Sequence, residues 1–525
     1  MSRLSLSEHN RRWWTLGAMC FALFMLMLDN TVVNVALPSI QRHLHASTSG
    51  LEWTVNAYTL AIAVLLVTGG RLGDLFGRVR MFLFGVVLFT AASAAIGFSP
   101  NATFLVVGRA IQGTGAAFMM PGTLSIIANA FPPAERGRAI GIWAGVSAMA
   151  LALGPVIGGF LVEHVSWQSI FFVNVPIGVI AVFVTLFAAH ESRDETVERV
   201  VDVPGVLSVS AGLASLTLAL VEANHWGWGS PAIVALLISS AVLLAAFFLV
   251  EHRTRVPMVD FSFFRSRSFA GANLAAFCVS FAMMATFFFI TLYMQNVRHY
   301  SPLGAGLRFL PMTMVLIAMG PISGRMVNRV GPKALIAAGM AITAVALVWL
   351  SFLDVDTGYA FLLPPFMVQA LGMGLVMSPM STAAMNAVVP TKAGVASGIL
   401  GMARMVGGTF GVAALGALVS AVGRSDINGA LPHLSAAARD RLAENLGTTP
   451  TAGLTADVAR AATDAFVHAI QVGLKVSAAV SLVGAAVAFA LVSNREEHNA
   501  GAEAPVAATP APEPARAERA AMVEA

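Results

Sequence analysis

Long runs of apolar residues, separated by short polar segments, dominate the pattern of this chain. A membrane-spanning helix needs about 20 mostly apolar residues, and stretches 206–220, 232–250 and 334–350 are nearly free of charge. The apolar run nearest the N-terminus, 13–36, is too long for the hydrophobic region of a signal peptide, and no small-residue cleavage site follows it. The pattern predicts fourteen spans, near 13–36, 50–70, 80–99, 103–122, 137–162, 169–188, 204–222, 231–250, 270–295, 303–323, 333–353, 359–386, 394–422 and 467–492.

Composition agrees with an all-α integral membrane protein. Of the 525 residues, 57% are hydrophobic and 11% are charged, whereas soluble domains carry about 25% charged residues. The excess apolar surface must therefore face lipid. The net charge of +4 is spread over short segments, which does not fit a nucleic-acid surface. Two cysteines, Cys20 and Cys278, are too few for a disulfide framework or a cysteine-based metal site.

The distribution of basic residues predicts the orientation of the chain. With both termini on one side of the membrane, most of the 31 Lys and Arg residues fall on that same side. Cytoplasmic loops are enriched in Lys and Arg. We therefore expect a multi-pass protein of a bacterial-type inner membrane, with both termini in the cytoplasm.

An internal repeat relates the two ends of the chain. Residues Pro133, Gly137, Gly141, Gly154 and Gly159 recur 257 positions later, as Pro390, Gly394, Gly398, Gly411 and Gly416. A weaker match, offset by 254, relates Gly70, Arg71 and Gly77 to Gly324, Arg325 and Gly331, with Asp74 opposite Asn328. Two inserted spans between the copies keep them in the same orientation. The repeat predicts two parallel-related six-helix bundles, an arrangement typical of halves that rock about a central site.

The repeat and the apolar runs together predict the organisation of the chain. We expect a cytoplasmic N-terminus at 1–12, a first bundle at 13–188, a linker with two inserted spans at 189–269, a second bundle at 270–492 containing an outer loop at 423–466, and a disordered cytoplasmic tail at 493–525. The outer loop includes a possible short amphipathic helix from Ser435 to Asn445.

Two charged residues lie within predicted spans. A carboxylate deep in a span, such as Asp29, is costly unless it is protonated, paired or facing water. Such a group suits proton uptake and release, although a structural hydrogen-bonded aspartate is the alternative. Arg109 keeps its charge and must meet an anion, a carbonyl or water. That Arg109 tunes Asp29 is a hypothesis, and tying helices together is its alternative role.

A glycine-rich segment, Gly70 to Arg78, joins the second and third spans. Its glycines allow a tight turn, and Asp74 can accept hydrogen bonds from the next helix's N-terminus or pair with a nearby arginine. The segment, with Gly70, Asp74, Gly77 and Arg78 as its key residues, is predicted to act as a gating latch. An ordinary charged turn is the alternative.

The fifth span is rich in small residues that permit close helix packing. Gly141, Gly154, Gly158 and Gly159 belong to it, and Pro155 removes a backbone hydrogen bond and permits a kink. We expect a tightly packed, bendable helix between the bundles.

Polar residues on predicted spans are candidates for a substrate cavity. They are Asn34, Asn56, Tyr58, Gln112, Gln295, Asn386 and Arg404. The repeat places Ser147 opposite Arg404, so Arg404 breaks the symmetry and either faces the cavity or lies near the cytoplasmic surface. Met and aromatic residues of the ninth span suit varied hydrophobic ligands, but lipid-facing helices contain them too.

Several of these segments resemble the major facilitator superfamily. The segment 70–78 resembles its signature loop. Segments 28–38, 105–115, 141–159 and 167–178 resemble motifs of its fourteen-span drug:proton antiporters, with Ala150 and Gln168 as departures. The resemblance covers 13 to about 492. It implies a proton-coupled secondary transporter that exports small amphipathic compounds or drugs by alternating access, as in multidrug efflux and antibiotic resistance. It also implies a role for Arg109 in proton transfer and marks 141–159 as an antiporter helix.

Two alternatives remain open at this point. One is a narrow-specificity exporter or importer of a single metabolite on the same fold. The other is a membrane enzyme or sensor, but the chain has no Walker loop and no His-Glu-x-x-His segment. We expect a transporter rather than an enzyme, with no catalytic residues, no metal and no cofactor, because a proton gradient would drive it. The expected partners are a small-molecule substrate, protons and the lipid bilayer, without nucleic acid, and a monomer is expected.

Overall fold

The computed structural model describes residues 7–45, 48–193, 202–254, 259, 261–300, 302–444 and 455–494. Within this part of the chain the residues form helices, short turns and loops, without a β-strand. The predicted all-α fold class is therefore confirmed. From residue 495 onward the predicted tail lies outside the described residues.

The first seven helices pack into one bundle. Helix α1 packs on α4, α5 and α7, and α4 packs on α2 and α3. The short α6 and the following α7 together occupy the sixth predicted span. The bounds are α1 Glu8–Leu44, α2 Thr48–Phe76, α3 Arg78–Gly97, α4 Ala102–Ala130, α5 Pro133–His164, α6 Ser169–Phe172 and α7 Asn174–Ala188.

Two helices follow and pack against each other, α8 (Val203–Trp226) and α9 (Pro231–Arg253). Each begins where the sequence supplies a cap. Asp202 accepts a hydrogen bond from Gly205 N at 2.9 Å, and Ser230 accepts one from Ile233 N at 3.3 Å. A proline stands in the first turn of each helix, where no backbone donor is needed.

The remaining helices form a second bundle. In it, α10 packs on α15 and α17, and α13 packs on α14 and α17. Helix α8 also contacts α2 and α15, so the inserted pair lies against both bundles. The bounds are α10 Arg267–Leu292, α11 Pro302–Arg308, α12 Leu310–Val330, α13 Pro332–Leu350, α14 Tyr359–Asn386, α15 Ala393–Ala430, α16 Ala436–Glu444 and α17 Ala456–Leu491.

Two predicted elements differ from the structure. The tenth predicted span is broken at Phe309, where α11 ends and α12 begins. Pro311 lacks an N–H and its ring crowds the carbonyl four residues earlier, which favours a break at this point. The predicted outer loop is largely helical, because α15 runs to Ala430 and α17 starts at Ala456. A small apolar cluster that includes Ile427, with Leu431, Ala443, Val458 and Ala465, holds these extensions together with α16.

The predicted count of fourteen spans is not confirmed. Twelve helical segments among the described residues are long and apolar enough to cross a membrane. The two predicted spans outside this group are 103–122 and 137–162, which coincide with α4 and α5. Arg109 and Gln112 make α4 less apolar, and several side chains of α5 lie outside the described residues.

Candidate functional site

A buried ion pair lies at the centre of the first bundle. Asp29 on α1 and Arg109 on α4 each have only 1% of their side chain exposed, and Arg109 Nη1 is 2.5 Å from Asp29 Oδ2. Two ions leave water at a cost of several kcal/mol each, so such a pair persists only with good geometry and further hydrogen bonds. Arg109 is therefore in direct contact with Asp29, as the hypothesis that it tunes this carboxylate requires.

Neutral side chains complete the site around the carboxylate. Gln112 Nε2 donates to Asp29 Oδ1 at 2.9 Å, and Asn174 Nδ2 donates to the same oxygen at 3.0 Å. Gln112 Nε2 also donates to Ser93 Oγ at 2.7 Å. Sequence analysis included Gln112 as a cavity residue and did not single out Ser93 or Asn174. The sequence feature that could have identified Ser93 and Asn174 is a polar side chain within an apolar span.

The guanidinium of Arg109 is held by several further partners. It donates to Gln112 Oε1 at 2.6 Å and to the carbonyl of Thr54 at 3.1 Å. Its Cζ lies 4.1 Å from the ring centroid of Tyr58, an arrangement in which the ring face attracts the cation. Tyr58, which was expected to line a cavity, is buried against this site instead. The site can therefore hold one proton-accepting carboxylate beside a fixed positive charge.

The Gly70–Arg78 segment forms a contact between the two bundles, which we call the charged gate. Asp74 is fully buried, and its carboxylate accepts from Gly394 N at 2.9 Å and from Val395 N at 2.8 Å. Arg78 Nε donates to Asp74 Oδ1 at 2.7 Å, and Arg78 Nη2 donates to the carbonyl of Thr391 at 2.6 Å. Asp74 thus caps the N-terminus of α15, where unpaired N–H groups favour an anion.

This cap differs from one of the two expected arrangements. Asp74 pairs with Arg78 as expected. The helix whose N-terminus it caps was expected to be α3, but it is α15 of the second bundle. Glu191 takes the start of α3, accepting from Val79 N at 3.0 Å and from Arg80 N at 3.1 Å. Gly77 turns the chain between α2 and α3 with φ +115°, a backbone conformation that favours glycine. Sequence analysis did not identify Glu191.

A second contact between the bundles, the neutral gate, joins α5 to α12. The backbones of Gly137 and Gly141 lie directly against those of Gly324 and Gly320, with no room for a Cβ atom at any of the four. Asn328 Nδ2 donates to the carbonyl of Ala134 at 2.6 Å. Both gates lie on the side of the protein where α1 begins, which we call the N-terminal side.

The other end of α5 packs on α1, beside the ion pair. A Cβ at Gly154 would collide with the side chain of Thr31, and one at Gly158 would lie 3.3 Å from Val32. Gly159 is different, because a Cβ there would meet nothing within 4 Å. The small residues of α5 therefore serve two separate contacts, one with α1 and one with α12. The side chain of Pro155 lies outside the described residues.

The expected cavity residues do not form one cluster. Tyr58 and Gln112 belong to the ion-pair site. Asn386 Oδ1 accepts from Arg136 Nη1 at 2.8 Å, which links the bundles near the neutral gate. Asn56 and Gln295 are partly exposed, and the side chain of Asn34 lies outside the described residues.

Arg404 lies elsewhere, between α14 and α5. It donates from Nη2 to Ser381 Oγ at 2.7 Å, and its Cζ is 5.7 Å from the ring of Trp143. Neither Ser381 nor Trp143 was singled out from the sequence. In the part of the chain that the structure describes, no three His, Cys, Asp or Glu side chains are grouped as metal ligands.

Comparisons with known proteins cover most of the chain. Residues 19–412 match the Major Facilitator Superfamily. The chain is 35% identical over 515 residues to the tetracenomycin C resistance and export protein of Streptomyces glaucescens, covering 95% of each. It is 37% identical over 427 residues to the multidrug resistance protein Stp of Mycobacterium tuberculosis, covering 81% of this chain and 79% of that protein. The structure of the human organic anion transporter MFSD10 matches with a TM-score of 0.61 over 91% of this chain and 99% of that one, and at 12% identity this likeness shows the fold alone.

Proposed function

The chain belongs to the major facilitator superfamily, and from that premise we propose that it is a proton-coupled antiporter that exports small amphipathic compounds by alternating access. We place the N-terminal side in the cytoplasm of a bacterial-type cell, with both termini on that side, and take one chain as the working unit. Similarity to resistance and export proteins over nearly the full length supports export.

The buried pair of Asp29 and Arg109 carries the proposal of proton coupling. When a proton binds Asp29, the negative charge that holds Arg109 disappears. The guanidinium then keeps only neutral acceptors, Gln112 Oε1 and the carbonyl of Thr54. Charge-assisted hydrogen bonds are about twice as strong as neutral ones, so protonation weakens the contact between α1 and α4.

Helix α5 connects this site to the neutral gate. Near one end it packs on Thr31 and Val32, two and three residues after Asp29, and near the other end it packs on α12 in the second bundle. A shift of α1 is therefore passed along a single continuous helix to the contact between the bundles. The charged gate on α15 must open in the same movement, because both gates join the same two bundles.

Efflux of several fluorescent amphipathic dyes, both anionic and cationic, from proteoliposomes with an imposed pH gradient tests the proposal. We expect concentrative efflux that a protonophore abolishes, and at least about a hundredfold loss in Asp29→Asn, because the amide cannot exchange a proton. Asp356→Asn makes the same chemical change at an exposed position and should transport like the unaltered protein.

The possible outcomes separate the candidates. Gradient-driven efflux by Asp29→Asn at the normal rate would contradict the assignment of Asp29. Failure of the unaltered protein to move any of several dyes, despite correct folding, would favour the narrow-specificity exporter or importer on the same fold. Movement that follows the substrate gradient alone would exclude proton coupling.

A further inference from the structure

A partly buried arginine in the membrane-spanning region, Arg404, differs from the buried Arg78 and Arg109 in its partners. Arg78 is paired with Asp74, and Arg109 is paired with Asp29. Arg404 has a serine hydroxyl and an indole ring as its contacts in the described part of the chain. Its Nε is buried and makes no hydrogen bond there. A guanidinium has five N–H donors, and the Nε–H of this one has no partner among the described residues.

Among the described residues no acidic side chain forms an ion pair with Arg404, whose contacts there are Ser381 and Trp143. Helix α15 is capped by Asp74 at Gly394, ten residues before Arg404, which corresponds to about 15 Å along a helix. That carboxylate is already bonded to Arg78 and to two backbone amides. A guanidinium keeps its charge, so a partly buried one without an acidic partner attracts an anion that reaches it.

The position of Arg404 fits a ligand site between the two bundles. Arg404 and Ser381 belong to the second bundle, whereas Trp143 belongs to α5 of the first. Trp143 lies six residues beyond Gly137, or about 9 Å along α5 from the neutral gate. Its Nε1 donates to Thr123 Oγ1 at 3.2 Å, which fixes the ring. The guanidinium therefore lies beyond the gate, at a surface where alternating access brings the bundles together and apart.

From this geometry we propose that Arg404 binds the anionic group of the cargo, and that the protein accepts amphipathic organic carboxylates. Arginine recognises carboxylates through two parallel hydrogen bonds, and the unpaired Nε supplies one of the donors. The ring of Trp143 is 3% exposed in this conformation, so it would meet the apolar body of the same molecule once the bundles move apart. The proposal rests on the proposed export function and assigns its substrate class.

Matched ligand pairs test the proposal on the full-length protein in detergent. Each pair consists of an aromatic carboxylate and its primary amide, for example 1-naphthoate and 1-naphthamide, and several ring sizes form the panel. Binding is measured by microscale thermophoresis and by the shift in melting temperature. We expect the best carboxylate to bind at least about tenfold more tightly than its amide. Arg404→Gln should remove this preference, and Arg404→Lys should restore part of it.

Arg308→Gln is the matched control, because it also removes one partly buried guanidinium. Arg308 stacks on Tyr300 at 3.6 Å and donates to the carbonyl of Gly304, away from Arg404. This variant should keep the preference for carboxylates. If the unaltered protein binds carboxylates and amides equally, or binds none of the panel, the proposal is wrong. It is also wrong if Arg404→Gln folds and keeps the preference.

Binding preference is independent of coupling, so this test separates the two proposals. A protein that prefers carboxylates but shows no gradient-driven efflux would leave the carboxylate site standing and overturn proton antiport. A protein with gradient-driven dye efflux and no preference for carboxylates would leave proton antiport standing and overturn the carboxylate site.

Discussion

The two bundles place different chemistry at equivalent positions of the repeat. Asp29 on α1 and Thr286 on α10 are 257 residues apart, as are Gln112 on α4 and Gln369 on α14. The contact between each pair is preserved, because Gln112 Nε2 donates to Asp29 at 2.9 Å and Gln369 Nε2 donates to Thr286 Oγ1 at 3.3 Å. The charge is present in the first bundle alone.

The counterpart of Arg109 completes the comparison. It is Phe366, whose ring centroid lies 5.3 Å from that of Phe309, and Phe309 in turn lies 4.9 Å from Phe287. An aromatic cluster therefore fills the space that an ion pair fills in the first bundle. The six-helix bundle does not need the ion pair in order to form, so the cost of burying those charges points to function.

The two gates show the same contrast. Gly70 lies against Gly394, and Gly324 lies against Gly137, so the close backbone contact is preserved in both. The charged gate adds Asp74 as a cap on α15, while the neutral gate has Asn328 at the matching position. One gate is thus held by a buried ion pair that also caps α15, whereas the other is held by packing, the Asn328 hydrogen bond and the nearby bond from Arg136 to Asn386.

The largest effect should come from replacing the ion-pair residues of the first bundle with the residues at the equivalent positions of the second bundle. Arg109→Phe alone leaves Asp29 buried without a counter-ion, which should cost about 3–5 kcal/mol of stability. Adding Asp29→Thr removes both charges and should recover most of that loss, while proton-driven efflux stays absent. Thermal unfolding in detergent and dye efflux measure the two effects. Proton-driven efflux by the double variant would show that the comparison is wrong.

The second largest effect concerns the charged gate. Asp74→Ala removes the cap of α15 and the partner of Arg78, and hydrogen bonds to charged groups contribute about 1.5–3 kcal/mol. We expect hydrogen exchange at the amides of Gly394 and Val395 to accelerate by about a hundredfold. Asn328→Ala at the other gate should leave those two amides within about fivefold of their rate. Equal acceleration in both variants would remove the distinction between the gates.

A smaller effect should separate two glycines of α5. A Cβ at Gly141 would enter the backbone of Gly320, so Gly141→Ala should lower stability by about 1–3 kcal/mol and slow efflux. A Cβ at Gly159 meets open space, and Gly159→Ala should be neutral or stabilising by up to about 1 kcal/mol, because alanine favours the helix. Melting temperatures measure both. Similar losses in the two variants would contradict the packing account.

The smallest effect is expected in the second bundle. Gln369 Oε1 is buried without a hydrogen-bond partner among the described residues, so Gln369→Leu removes an unsatisfied group and should change stability by less than about 1 kcal/mol. Gln112→Leu at the matching position removes a donor to Asp29 and should cost more. Calorimetry of the purified variants gives the difference. A larger loss in Gln369→Leu than in Gln112→Leu would reverse the expected order.

Much of the fold could be predicted from local sequence patterns. Apolar runs gave the approximate positions of the helices, and the glycine repeat related α5 to α15 before any coordinates. The break at Phe309 was missed, although Pro311 was visible, because proline is tolerated inside membrane helices such as α4 with its Pro121. The helical extension into the outer loop was missed because its stability comes from the cluster around Ile427.

The candidate site was only partly accessible from the sequence. Asp29 and Arg109 stood out because charge within a span is costly, whereas Ser93 and Asn174 are polar residues of a common kind. Asn56 carried the same kind of signal and is not among the side chains that meet Asp29 in the described structure. Polarity within a span marks candidates but does not tell which of them meet.

The sequence by itself determined the all-α membrane fold, the family and the internal repeat, because hydrophobic length and residue spacing are properties of short segments. Only the tertiary structure decided which segments meet. Asp74 caps α15 through Gly394, which lies 320 residues later in the chain, and Asp29 joins α1 to α4 and α7. Such contacts depend on how the helices pack around one another, and the packing arises from many weak interactions along whole helices that no single motif contains.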